Sequence, residues 1–546
     1  MQSTRFTRLN LVRGITVTAG ILAILYLRLM FMNFNLWLDE AWVANSILSP
    51  SVSEMLYYDQ IVQTTPPLLL VIVRATVFSL GQSEVSFRVV PWVAGLLSIL
   101  TTVFILRRIF SFPLVVMGST LIATNYYAIK YAQQIKSYST DLLVACLFLF
   151  VLWAVMETET NQSPHWFLCL LGGAGIFLSF PAIFFVPVSA VVLLMSASPQ
   201  LWANRRRMHS PWKRASALLV LAAYALSFLV LYTLFVRPNQ DPNLRGQWEN
   251  SYLGSGGLYG SFGRFLQNIC SLLLPGEGWL QFASGALLCL CVIGALRAII
   301  NLTHHDGRAA KLLVFTCVPI MTGVVVSFMH MYPLLDAPRF ILWMLPSLGM
   351  LLVYAIEPVW IYGENLAARI FPVRGVNALV VNVIVLCILH VFASIWFLGR
   401  NERSREEVGK AIEYLQDRVG RDEALFVHGV LEQQATFYMR YHNWSPLGLY
   451  LGSTDWPCCS RNRASRVSNS LVKTFEEDIS SFLLKTDSKK VWMLLPTGKD
   501  PRHFTQFLSK VIEGFPGFMS KQGWVEIESR EFQNALVFAF AKRARS

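Results

Sequence analysis

Apolar runs close to twenty residues long, separated by short polar turns, recur from residue 14 to residue 398, and a stretch of mixed composition follows. Runs of this length match a bilayer core crossed as a helix. The pattern predicts eleven spans, at 14–36, 88–106, 112–130, 138–156, 166–180, 182–198, 215–236, 279–300, 311–330, 339–357 and 376–398. The fifth and sixth, joined through "LSFPAIFFVPV", admit a single kinked helix as the alternative. The segment "PPLLLVIVRATVFSL" (66–80) is apolar but short, carries Arg74 in its middle and opens on two prolines. It is expected to lie in the interface, after a shorter helix near 51–60, within a long first outer loop at 37–87. A second outer loop, 237–278, is rich in Gly, Asn and aromatics, and is either filler or a binding element.

Past residue 400 the period changes. "REEVGKAIEYLQDRV" (405–419) and "LEQQATFYMRYH" have helical spacing, "ALFVHG" (424–429) and "KVWMLLP" (490–496) are strand-like, "PRHFTQFLSKVIEGF" is helical and "NALVFAFAKR" closes as a strand. That alternation predicts a small α/β domain with a partly parallel sheet. The expected fold class is a multi-pass α-helical membrane protein, 1–399, with a soluble domain at 400–546.

Composition sharpens the division. Hydrophobic residues make up 54% of the 546 and charged residues 14%, against about 25% charged in a typical soluble domain. Of the 33 acids, 15 lie in residues 1–399 and 18 in 400–546. The net charge of +13 does not imply nucleic acid as a partner, because much of it sits in short loops where it sets orientation and meets membrane lipids. With the N-terminus cytoplasmic, Arg107, Arg108, the cluster at 204–214, the loop at 301–311 and Arg374 fall inside. The 400–546 domain then lies on the extracytoplasmic side of a plasma membrane (an inner membrane in bacteria). Cys146, Cys169, Cys270, Cys289, Cys291, Cys317 and Cys387 sit in or beside apolar runs as small hydrophobes. Neither a metal-type cysteine spacing nor a G-x-G-x-x-G or P-loop is present.

One stretch departs from the pattern. "NFNLWLDEAW" (33–42) places Asp39 and Glu40 side by side where an apolar run ends, next to Trp37. On the residues alone two readings stay open: a solvated helix end, or carboxylates in a poorly hydrated site roofed by the first loop, where ionisable groups are functional candidates.

Here the chain resembles the GT-C fold glycosyltransferases that use polyprenyl-phosphate sugars, a group that includes protein O-mannosyltransferases, ArnT-like aminoarabinose transferases and RgtA/B/C/D-like bacterial enzymes. "LWLDEAW" looks like the Asp-Glu motif at the end of their first helix. The likeness continues through 63–110, with its Pro-Pro pair and the Arg-Arg after the second span. It extends to "YAQQIKSYSTDLL" (131–143), where Ala132, Gln133 and Lys136 stand for Ser, Gln and Arg, and to "LLDAPRFILWMLP" (334–346), where Phe340 replaces a tyrosine.

The resemblance implies an enzyme that moves a sugar from a polyprenyl-phosphate donor to a hydroxyl of a glycan, lipid or protein acceptor, with inversion. Asp39 is expected as general base, with Glu40 as a second catalytic carboxylate. Lys136, Arg339, Arg88 and Arg74 are expected to meet the donor phosphate as its charge grows. Gln133, Gln134 and Tyr138 are expected near the sugar or the acceptor. No cofactor is required on this reading, although one divalent cation near Asp39 is compatible with it. The reading from another class is a transporter or flippase of a lipid-linked glycan. Transporters place ionisable groups near the bilayer midplane, and Asp141 is the nearest example here.

Overall fold

A computed structural model of the chain describes residues 32–58, 64–157, 165–197, 211–239, 248–255, 257–304, 306–335, 337–370, 407–451, 471–497 and 514–543, with a few isolated positions besides. Most of the expected spans at 14–36 and 376–398, most of the cluster at 204–214 and most of the helix expected at "PRHFTQFLSKVIEGF" lie outside them. Among the described residues six helices are long and apolar enough to cross a bilayer, or seven if one bent pair counts as a single span.

Three short helices, α1 (Leu38–Ile47), α2 (Val52–Leu56) and α3 (Pro67–Leu80), precede the first long one, α4 (Glu84–Ile109). The bent pair is α5 (Phe112–Ala123) and α6 (Tyr126–Ala132), at 51°. Hydropathy predicts one continuous span there, and Asn125 breaks it. Its side-chain oxygen accepts from the Ala128 N–H at 3.0 Å and starts α6, while its amide donates to the Leu272 carbonyl at 2.6 Å.

Next come α7 (Tyr138–Glu157), α8 (His165–Leu178), a 3₁₀ turn at Phe180–Phe184 and α9 (Phe185–Ala197). Pro181 near the start of that turn separates α8 from α9. The set continues with α10 (Pro211–Leu231), α11 (Leu258–Leu273), α12 (Trp279–Thr303), α13 (Gly307–Phe328) and α14 (Leu345–Ile370), the last entered through a 3₁₀ turn at Pro338–Met344. Helices α8 and α10 lie close because Gly172 leaves room for the Tyr224 ring, whose hydroxyl donates to the Leu168 carbonyl at 2.8 Å. The described part of the second outer loop is tied to the bundle. Asn268 of α11 donates to the Leu334 carbonyl, and Leu335 N–H to the Ser251 carbonyl, so the loop covers the entry to α14.

The bundle has two unlike ends. One carries Arg107 and Arg108 in the last turn of α4, together with Glu357 held between Arg308 at 2.7 Å and Arg297 at 3.4 Å. The other carries α1 to α3, α11 and the C-terminal domain.

That domain holds α15 (Val408–Gln416), β1 (Ala424–Val427), α16 (Glu432–Tyr441), β2 (Gly448–Leu451), α17 (Leu471–Lys485), β3 (Lys490–Leu495), β4 (Trp524–Phe532) and β5 (Ala535–Lys542). The sheet order is β2-β1-β3-β5-β4, with β1 parallel to β2 and β3, and β5 antiparallel to β3 and β4. β1 is buried throughout, which is why its run was legible. β4 is an edge strand, largely exposed and rich in Glu, with a bulge between Glu526 and Glu528, and no apolar period announces it. One hydrophobic core crosses the boundary near residue 400, joining Ala41 and Ile47 of α1 and Leu70 of α3 to Ile412 of α15 and Phe437 of α16.

His428 closes β1. Its Nδ1 accepts from the Val430 N–H at 3.2 Å and its ring packs on Phe475. Burial pushes the imidazole down from 6.5 to about 4. Between those values the unfolded chain takes up a proton that the folded domain refuses, so stability is lost as pH falls through the window. We expect about 2 kcal/mol of loss, discounted for the residue's partial exposure. Protection factors across β1 and β3, corrected for the intrinsic exchange rate, should fall from about pH 6.5 downwards, and His428→Asn, which keeps an acceptor for Val430, should flatten that dependence.

Candidate active site

The two adjacent carboxylates have separate fates. The stretch 33–37 interrupts the apolar run, so Asp39 and Glu40 fall in the first turn of a new helix, α1, rather than at the end of a span. Amide dipoles at a helix N-terminus favour negative charge there.

Glu40 points inward and is 1% exposed, as is Arg88. Arg88 Nε donates to Glu40 Oε1 at 2.9 Å and Nη2 to Oε2 at 2.6 Å, a two-toothed pair. Oε1 also accepts from the Ile135 N–H at 2.9 Å, and Oε2 from the Trp37 N–H at 3.4 Å. The rest of the guanidinium serves the broken stretch: Nη1 donates to the carbonyls of Met32 at 2.9 Å and Phe34 at 2.6 Å, and Nη2 to that of Asn35 at 3.4 Å. All five donors are taken. Arg88, expected at a donor phosphate, and Glu40, expected as a second catalytic carboxylate, are committed here to one another and to nearby backbone, an arrangement that makes the pair a structural pin.

Arg74, also expected at the donor phosphate, likewise serves backbone carbonyls here. Nη1 donates to the carbonyls of Ile47 at 2.6 Å and Ser49 at 2.7 Å, and Nη2 to that of Pro50 at 3.2 Å. It closes the C-terminal end of α1, where helix carbonyls lack internal partners.

Asp39 remains directed outward. Its side chain is 27% exposed, and Oδ2 lies 3.8 Å from Lys136 Nζ. The Ile135–Glu40 bond brings Lys136 there, because it ties the turn between α6 and α7 to α1. Tyr138, the first residue of α7, is buried and within electrostatic reach of both Asp39 and Arg339. Arg339 lies over the rings of Phe340 at 4.9 Å and Trp248 at 6.0 Å. Phe340 in turn meets Tyr138 and Trp248 edge-on, at 5.9 and 5.2 Å. Asp39, Lys136, Tyr138 and Arg339, from three separate stretches of chain, are thus gathered at one end of the bundle. Gln133 is buried in the connecting turn, and Gln134 beside it has a buried side-chain oxygen without a hydrogen-bond partner. Asp336 lies outside the described residues.

Asp141, set aside on sequence grounds, belongs to this neighbourhood. It lies about one turn into α7, buried, with Oδ2 accepting from the Ser137 hydroxyl at 3.2 Å and Oδ1 beside Ser179 without hydrogen-bond geometry. Its only signal in the sequence is its rarity, as an acid inside a span. Among the described residues no three His, Cys, Asp or Glu side chains gather as a metal-binding set, and Glu40's commitment to Arg88 leaves Asp39 as a lone carboxylate at the opening.

No protein-family model matches the chain, and no curated protein sequence does. The likeness is carried by the fold. The structure is similar to ArnT from Cupriavidus metallidurans bound to undecaprenyl phosphate, with a TM-score of 0.53 and 13% identity over 96% of this chain and 97% of that one. The apo state of the same protein aligns with a TM-score of 0.52 and 13% identity, over 97% and 98% of the two chains. An oligosaccharyltransferase from Archaeoglobus fulgidus aligns at 0.48 and 12% identity, over 96% of this chain and 73% of that one. The chain has the GT-C fold, with the C-terminal domain included in the match.

Removing either half of the pin strands a buried charge. Arg88→Ala or Glu40→Ala should cost about 3–5 kcal/mol. Arg88→Lys keeps the charge but not the five-donor fork, and should recover less than half of that. The unfolding midpoint in detergent and the yield of monodisperse protein check both.

Proposed function

We propose that the protein is a membrane glycosyltransferase that moves a sugar from a polyprenyl-phosphate carrier to an acceptor hydroxyl, on the side of the membrane that carries the C-terminal domain. The observation that carries this reading is Asp39, partly exposed, 3.8 Å from Lys136 at the bilayer edge, with Arg339 and Tyr138 close by. The fold supports it: the similar ArnT structure holds undecaprenyl phosphate.

The chemistry follows from the charges. A donor phosphate entering the site draws Lys136 and Arg339 to itself. Asp39 is thereby released from its lysine and accepts the proton of the acceptor hydroxyl. The hydroxyl oxygen bonds to the anomeric carbon from the face opposite the phosphate, the carbon–oxygen bond to phosphate breaks, and its electron pair leaves with the lipid phosphate. Inversion at the sugar is the result. The two cations stabilise the charge that grows on the leaving group. The aromatic wall of Trp248, Phe340 and Tyr138 keeps water from competing with the acceptor. On this reading the site of this integral membrane protein faces the extracytoplasmic side; Arg107, Arg108, Arg297 and Arg308 at the opposite end of the bundle support that orientation.

Asp39→Asn should fold as the parent does and lose about 10²–10⁴-fold in kcat for transfer from a synthetic polyprenyl-phosphate pentose or hexose. Lys136→Ala should lose at least about 10-fold, chiefly through the phosphate. Mass spectrometry of the product measures both. Equal transfer by Asp39→Asn and the parent sinks the base assignment, and movement of intact lipid-linked glycan with no new glycosidic bond establishes a flippase instead.

A further inference from the structure

The broken stretch before α1 belongs to no helix or sheet, and Met32 and Leu36 within it are buried, so its backbone groups need partners from elsewhere in the chain. Arg88 takes the carbonyls of Met32, Phe34 and Asn35. The next residue, Leu36, is served by the other domain. Its N–H donates to the Tyr438 hydroxyl oxygen at 2.6 Å, and its carbonyl accepts from Gln434 Nε2 at 3.2 Å. Tyr438 and Gln434 are one turn apart on α16, and both are 1% exposed. A further contact lies along α1, where the Asn45 amide donates to the Gln433 carbonyl at 2.8 Å. The fit leaves no slack, since a Cβ on Gly409 of α15 would stand 2.8 Å from the Tyr438 ring and 2.9 Å from the Asn35 amide.

Leu36 is three residues from Asp39, and the N-cap Trp37 lies between. A stretch of chain fixed at Leu36 fixes the direction in which α1 starts, and so where Asp39 points. We infer that Tyr438 and Gln434 of the C-terminal domain are positioning residues for Asp39, so that the soluble domain completes the candidate active site instead of merely decorating the membrane domain. Burial holds the Tyr438 phenol well above its usual range, so its oxygen serves Leu36 as a neutral hydroxyl at any working pH. The inference rests on the proposed function for its kinetic half and on geometry alone for its structural half.

The test uses full-length protein in detergent. Tyr438→Phe keeps the ring and removes the acceptor of the Leu36 N–H. Hydrogen exchange should rise at least about tenfold in the peptide covering 32–40 and stay within twofold across α4 and α12. In the transfer assay kcat should fall about tenfold or more while KM for the polyprenyl-phosphate sugar stays within about twofold. Val491→Ala, in the core on the other face of the sheet and apart from the core that reaches α1, is the control for lost stability and should leave both readouts near those of the parent. Unchanged exchange at 32–40 in Tyr438→Phe overturns the inference, as does a Val491→Ala variant that lowers kcat as much. If the parent forms no glycosidic product the proposed function fails, and the exchange measurement still decides whether α16 holds Leu36.

Discussion

Everything at the functional end of the molecule depends on one ion pair placed where water does not reach. Glu40 and Arg88 attract each other strongly in a low-dielectric surrounding, but each pays heavily to leave water. The balance turns favourable only because no lone pair or proton is wasted. The carboxylate collects four hydrogen bonds and the guanidinium donates five. Through those bonds the pair holds three things at once: the non-helical stretch at 32–36, the start of α1, and the turn that presents Lys136.

This arrangement explains how two neighbouring acids serve unlike purposes. Adjacent helical residues point about 100° apart. One faces the interior and becomes scaffold, and the other faces the opening and keeps its chemistry. Arg74 at the far end of α1 and α16 along its flank complete the support. On the proposed function Asp39 is a reactive group held by residues that do not themselves react, the arrangement expected where geometry must be kept to a fraction of an ångström.

The sequence was most legible where a single physical period dominates. Bilayer-length apolar runs located the long helices, and the buried strands β1 and β3 stood out as short apolar runs. Asp39, Lys136 and Tyr138 were found through short motifs, and their gathering was not deducible from spacing. The residues whose partners were not legible share one cause. Arg74, Arg88 and Glu40 have the charge suited to phosphate or acid–base work, but their partners are mostly backbone carbonyls and amides of distant segments, which leave no trace in residue identity. The break at Asn125, the separate helix α1 and the edge strand β4 were missed because each depends on contacts the local pattern does not contain.

The edge strand has a consequence of its own. Proteins confined to one membrane face meet each other at high local concentration, and an open sheet margin is an invitation to add a foreign strand. β4 spans nine residues at such a margin. Its kink between Glu526 and Glu528 disturbs the flat template, and Glu526, Glu528 and Glu531 line it with like charge that a second copy would bring against its own. Crowded neighbours therefore slide past one another instead of zipping together, and each molecule keeps its sheet to itself.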